Sequence, residues 1–595
     1  MTKRIALAGL LTGVIFSPVS LGDEPPRAPR VQSSAELTLT NVDVVVTDKK
    51  GVHVLGLVPD DFEVMQDGRP MKISNFQEIR PDSPTRVQGV PPPENLEAAA
   101  SAPAVLPPRP PRTVVLFVDR IRIPDANERK KFFMSIEDLM RRVMAPGDRA
   151  MIMSWDRTVQ SVTPFTSDFA TLEASLDRLE KQSSGLPLEG AMLDELSRDA
   201  AWFRIIDTAV GGGSSSGVAV SQRLLASRAF YEMQRKTAVL RALVSTIAGM
   251  DGKKVFLLAT HRFSRYAGLE FFLTKHSQIS DQIGGESREF DSKDLLESVA
   301  TAANASGVTF YGLYPTGRGW ESMPSAADPY SDYPDLQSAP VGGREDLVVN
   351  NEAEALELVA DRTGGLVALG THQIEKTLAR AAEDLEAYYS IAYEAPLRRP
   401  DRPASIAIQV KGRKDLVVRA RQKVVEKSDD GRMKDRVLSN IFMPDRESRL
   451  AIRLIARPAE KKGSRKRLNL QVQIPIAQLV LLPDQKGEGG AFSVFVAAAG
   501  PKGELSDVTQ QRKEFQIRTA ELEKAKASYY TYEMTVETGG PESILSVGVM
   551  DETSKDAGFG RLLIPAVKKG ERDDGPRPME PPDLFNQPGT RRGRH

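Results

Sequence analysis

Cysteine is absent from the 595 residues, which excludes disulfides, thiol nucleophiles, zinc–thiolate centres and lipid attachment through a cysteine. Stability must then rest on apolar cores. Histidine is nearly as scarce: His53, His261, His276, His372 and His595 form no H-x-x-x-H pair, so the zinc-site signature is missing. Net charge is lacking too, because 80 Lys and Arg balance 80 Asp and Glu, and no overall field draws the protein to nucleic acid or an acidic membrane. No apolar run reaches the ~20 residues of a bilayer-spanning helix, so no transmembrane span is expected. Walker loops and dinucleotide fingerprints are missing. The run "GSSSG" at 213–217 matches a nucleophile elbow in letters, with Ser215 at its centre, but it lies in the low-complexity stretch "GGGSSSG" with no strand before it. Paired acids such as Asp60-Asp61 and Asp429-Asp430 read as solvated turn residues.

The chain is too long for one core, and several domains are expected. Lys3 and Arg4 precede the apolar run Ile5 to Phe16, and the small residues Ser20 and Gly22 follow, so residues 1–22 read as a signal peptide for a secreted or periplasmic protein. Residues 35–80 alternate apolar and polar in short runs separated by Lys50-Gly51 and Asp67-Gly68, a small antiparallel β unit. It has too few strands to bury two faces, and is expected to pair with residues 388–425, where "YYSIAYE", "ASIAIQVKG" and "DLVVRARQKV" supply further strands. Between them, residues 81–112 read as a proline-rich linker.

Residues 113–387 alternate between near-continuous apolar runs ("TVVLFVD", "RAMIMSW", "KKVFLLAT", "GVTFYGLYP") and segments of helical period. Such an alternation predicts a mostly parallel sheet covered by helices on both faces, a doubly wound α/β fold. Insertions at 183–221 and 316–350 interrupt it. Residues 440–568 hold β runs at sandwich spacing with no strong helical period except "TAELEKAKAS", and 569–595 have the composition of a disordered tail.

The strand ending in Asp119, the following helix and "GDRAMIMSWDRTVQSVTPFTSD" resemble the von Willebrand factor type A (VWFA) domain. More narrowly, "VDVVVTDKKGVHVLGLVPDDFEVMQDGRPMKISNF", "LYPTG", "LELVADRTGG", "DLEAYYSIAYE" and "VVRARQKV" resemble the VWFA-related acidobacterial domain family of exported bacterial proteins, over about residues 37–425. The resemblance implies a VWFA-like sheet, and the β runs on either side of it add the expectation of flanking immunoglobulin-like β-sandwich domains, the C-terminal one lying beyond the reach of the resemblance. It also implies a Mg²⁺ site in which a strand-end D-x-S-x-S, a Thr from a second loop and an Asp after the central strand offer oxygens, an acidic partner completing the octahedron. Here Asp119 matches, but Ile121 and Ile123 replace the two serines, and Thr260 and His261 stand where the family places its Asp. The metal-ion-dependent adhesion site therefore reads as degenerate, with no metal and no other cofactor expected.

Asp119 is then expected to pair with Arg120, Arg122 or a neighbouring loop; alternatively those guanidiniums replace the metal and grip a partner's carboxylate directly. The long loop from Thr316 to Asn350 carries Trp320, Tyr330 and Tyr333, residue types that anchor interfaces. Together Asp119, Arg120, Arg122, Thr260, His261, Trp320, Tyr330 and Tyr333 form the expected binding surface, for a protein ligand of acidic character. Its alternatives are a Mg²⁺-dependent adhesin using Thr158, Thr166 or the Ser-rich loop, and a hydrolase, for which no catalytic set is visible.

Overall fold

The computed structural model describes residues 37–80, 86–88, 111–119, 126–145, 147–156, 158–183, 215–260, 262–272, 287–315, 341–396, 399–443, 448–462, 465–484, 487–500, 505–539, 543–565 and 577–578. The expected signal peptide, most of the 81–112 linker, the 184–214 and 316–340 stretches and nearly all of the 569–595 tail lie outside them.

Described residues begin with β1 (Leu37–Asp48), β2 (Phe62–Gln66), β3 (Arg69–Met71), β4 (Ile73–Ile79) and β5 (Arg86–Gln88). In β1 the period of two buries Val42, Val44 and Val46 and leaves Asn41 and Asp43 exposed. Asp67 and Gly68 both take positive φ, +46° and +76°, which closes β2 on β3 in a tight hairpin. The short strand β5 pairs with β4 inside the stretch read as linker, so three of its residues are in a sheet.

Six strands then build the central sheet: β6 (Thr113–Asp119), β7 (Arg149–Asp156), β8 (Thr158–Thr166), β9 (Lys254–Ala259), β10 (Val308–Tyr314) and β11 (Val367–Leu369). Their order is β11-β10-β9-β6-β7-β8, parallel throughout except for the β7–β8 hairpin at one edge. Both faces are buried because both carry apolar side chains. Val115 and Phe117 pack with Phe256 and Phe310 under α3 (Ser215–Ala248), α4 (Lys293–Ser306) and α5 (Val341–Thr363). Val114, Leu116 and Val118 pack with Leu257 and Tyr311 under α1 (Ala126–Val143), α2 (Phe169–Gln182) and α6 (Thr371–Glu386). Each large apolar side chain fully buried in this way contributes about 1.5–3 kcal/mol. At the start of β6 the buried Arg112 donates from Nη1 to Val143 O (3.0 Å) and from Nη2 to Leu385 O (2.7 Å), placing one cation on the carbonyl ends of α1 and α6.

After α6 the chain returns to the first strands. β12 (Tyr388–Pro396) pairs antiparallel with β1 and β4, β13 (Pro403–Val410) with β2, and β14 (Leu416–Ala420) with the other edge of β1, while β15 (Lys423–Val425) borders β13. Two sheets, β14-β1-β12-β4-β5 and β15-β13-β2-β3, close over Val44, Phe62, Phe76, Tyr389, Ile391 and Ile406. Beyond them, a second β-sandwich packs Leu470, Val472 and Ile474 against Phe492, Leu545 and Val547.

The helices depart from the sequence expectations at three places. α3 begins at Ser215, inside the stretch read as an insertion over 183–221. α5 begins at Val341, inside the stretch read as loop to Asn350. Asp429-Asp430 is not a turn but the first turn of α7 (Asp429–Phe442), whose N-cap Ser428 accepts from Gly431 N at 3.0 Å. Two acids there suit the positive end of the helix dipole.

Candidate functional site

Asp119 ends β6 at the carboxyl pole of the sheet, level with Trp155 on β7. On the other side Val118 is level with Ala259, so the next residue, Thr260, stands beside Asp119. Its hydroxyl donates to Asp119 Oδ2 at 2.7 Å. The same oxygen receives the ammonium of Lys236 at 2.5 Å, and that ammonium also lies 3.3 Å from Arg262 O. Lys236 is 0% exposed. It comes from α3, where Met233, Leu240, Val244 and Ile247 form the core-facing stripe, and Lys236 occupies the turn between Met233 and Leu240 on that stripe. A buried cation on a core stripe requires a buried anion, and Asp119 supplies it.

The segment after β9 is fixed to α5. Arg262 has φ +53°, and its N–H donates to Glu352 Oε1 at 2.9 Å; Asn351 brackets Tyr266, accepting from its N–H (2.7 Å) and donating to its carbonyl (2.9 Å). Four elements, β6, β9, α3 and α5, thus meet at one pole around a charge pair.

These residues do not fit a divalent cation. Mg²⁺ requires about six oxygens in near-octahedral order. Among the described residues the Asp119 carboxylate, the Thr260 hydroxyl and the Arg262 carbonyl come together here, and a fixed ammonium already lies against that carboxylate. No group of three His, Asp or Glu side chains among the described residues is placed to hold a metal. Thr166 cannot assist: it pairs with Ala150, at the amino-terminal end of β7, and its hydroxyl accepts from Asp168 N at 3.0 Å. Thr158 is level with Asp156, nearer the Asp119 pole. Arg120, Arg122, His261, Trp320, Tyr330 and Tyr333, together with most of the Ser-rich loop, lie outside the described residues.

A second polar cluster, at the opposite pole, was not legible as one. Asp384, with its side chain 1% exposed in the last turns of α6, accepts from Arg419 Nη2 (2.6 Å) and Nη1 (2.7 Å), from His53 Nε2 (3.0 Å) and from Tyr311 Oη (3.3 Å). Burial raises the carboxyl's proton affinity, but the hydrogen bonds of His53 and Arg419 outweigh it, and its pKa falls below the ordinary carboxylate value. Burial and the Asp384 charge push the Tyr311 phenol well up. Lys253 joins through its ammonium, 3.1 Å from Asp384 O and 3.5 Å above the Tyr388 ring. His53, which no sequence motif singles out, is a half-hidden strut between the first sandwich and α6.

No protein-family model matches the chain, and no curated protein matches it. Among solved structures, an aerotolerance-related membrane protein from Bacteroides fragilis is 10% identical with a TM-score of 0.21, the match covering 46% of this chain and 97% of that one. The conserved hypothetical protein BatB from Bacteroides thetaiotaomicron is 9% identical with a TM-score of 0.21, covering 46% of this chain and 98% of that one. No described helix is long and apolar enough to cross a membrane.

Proposed function

We propose that this chain is an exported, non-enzymatic protein-recognition module, built on a VWFA-like domain whose metal site has been replaced by an internal charge pair. The observation that carries the reading is the Lys236 ammonium seated 2.5 Å from Asp119, at the strand end where a type A domain holds its cation. A divalent ion there serves two ends, holding the loops and offering a charge to an acidic ligand. In this chain Lys236 does the first, tying α3 to β6 and β9 without exchangeable metal. The second passes to the residues that follow Asp119 in sequence, where Arg120 and Arg122 carry guanidiniums of the type that grips a carboxylate in bidentate fashion.

Thermal unfolding of the mature protein in excess Mg²⁺, Mn²⁺ or EDTA tests this. The melting temperature is expected to be the same in all three, because a ligand stabilises only where it binds the folded state. Stabilisation by Mg²⁺ in the wild type, lost in Asp119→Ala, would return the protein to the metal-dependent adhesins. Partner capture in chelator then follows, with Arg120→Glu and Arg122→Glu expected to weaken an acidic partner.

A further inference from the structure

The amino-terminal pole of the central sheet carries a cavity of about 620 Å³, where the first sandwich, the α/β body and α7 meet. Its composition departs from that of the chain. Seven Lys and Arg side chains line it against three Asp and Glu, within a protein of zero net formal charge. Some of those cations are satisfied: Lys427 pairs with Asp435, Arg432 lies 3.1 Å from Asp429, and Arg436 lies 4.5 Å from the centroid of the Phe559 ring. Four are not. Lys254, Arg399, Arg402 and Arg421 have no carboxylate at ion-pair distance among the described residues.

Arg421 is the most telling. Its Nη1 donates to Asn304 O at 2.9 Å and its Nη2 to Asn41 O, so two main-chain carbonyls fix the guanidinium between α4 and β1. Its Nε is buried with no hydrogen-bond partner. Burial lowers the pKa of the guanidinium. Lys254 at the start of β9 shares the cost: burial first, opposed by the Asp251 charge and assisted by repulsion from Lys427 and Arg421, brings its pKa down to about 8. Lys254 and Arg421 are half-buried and short of anions, with Arg399 and Arg402 exposed at the mouth, an arrangement that is costly alone and becomes favourable when an anion enters.

We propose that this cleft is a binding site for a phosphoryl-bearing ligand. A carboxylate offers two oxygens and one charge, enough for a single guanidinium. A phosphoryl group offers three acceptor oxygens and up to two charges, which suits unpaired cations converging from the first sandwich (Arg402, Arg421) and β9 (Lys254). The volume falls within the ~300–1,000 Å³ of small-molecule sites, so the phosphoryl group enters with the molecule that carries it.

Isothermal titration of the full mature chain with inorganic pyrophosphate, at constant ionic strength, is the test, with succinate as the carboxylate control. Saturable binding of pyrophosphate, with succinate weaker, is expected. Lys254→Met should melt no lower than the wild type, since it removes a buried charge, yet bind pyrophosphate at least about tenfold more weakly, the loss of one charge-assisted hydrogen bond. Arg402→Gln, at the exposed rim, should fold as the wild type and also weaken binding. Vesicles of phosphatidic acid separate the sources: co-sedimentation without pyrophosphate binding assigns the group to a lipid, and pyrophosphate binding without co-sedimentation to a soluble molecule. Binding of neither, or binding unchanged in both variants, or succinate binding as tightly as pyrophosphate, overturns the proposal.

Discussion

At the scale of single residues, a double-mutant cycle weighs the Asp119–Lys236 pair. Lys236→Met leaves Asp119 buried without its cation and should cost about 3–5 kcal/mol, as should Asp119→Ala; the combined variant should cost clearly less than the sum, because neither charge is then orphaned. Urea unfolding checks this, and additive costs would mean that the two side chains do not interact. Asp119 was legible in the sequence because a carboxylate ending a seven-residue apolar strand has to meet something polar. Its partner was not: Arg120 and Arg122 are neighbours in sequence, while Lys236 stands more than a hundred residues away on a helix whose register alone places it inside. The available signal was a lysine on the stripe that runs from Met233 to Ile247, and it becomes informative only once that face is known to be buried. His53 and Asp384 show the same limit, since two groups 331 residues apart can be matched only by topology.

Among the elements, the strands of the central sheet were the easiest to read, because a parallel strand buried on both faces is a continuous apolar run. The helices were harder where the pattern is diluted. α7 begins with two acids, a glycine and an arginine, and only Met433, Val437 and Ile441 mark its buried stripe. That stripe packs on the outer face of the second sandwich against Phe495, Ala497 and Met550. Gly548 admits it: a Cβ at that position would lie 2.6 Å from Val437 Cγ2 and 3.1 Å from Met433 Cε. Gly548→Ala should therefore destabilise by about 1–3 kcal/mol through overpacking, although alanine has the better intrinsic backbone entropy. Trimming Val437 to alanine in the same chain should recover part of the loss, and a neutral or stabilising single variant would show that the contact yields.

For the molecule as a whole, Asp384 is the joint between bodies. One carboxylate on α6 holds Arg419 of β14, His53 of the loop after β1 and Tyr311 of the central sheet. Asp384→Asn keeps the shape and removes the charge, which should cost about 3–5 kcal/mol by leaving the Arg419 guanidinium unpaired. The pH dependence follows from the depressed pKa of Asp384. A carboxylate that binds its proton more weakly when folded contributes its full stability above its unfolded pKa. That contribution is lost as pH falls through the folded value. Wild type and variant should thus differ most near neutrality and converge in strong acid; a constant difference would remove Asp384 from the acid transition.

The interrupted first sandwich has a mechanical consequence. Leu37 at the start of β1 lies beside Pro396 at the end of β12, and β14 flanks β1 on its other side. Tension applied between Leu37 and Val425 is borne by the hydrogen-bonded ladders of that sandwich, because the α/β body is inserted between β5 and β12. A tug on the chain would rupture the sandwich before the Asp119 pole felt any strain.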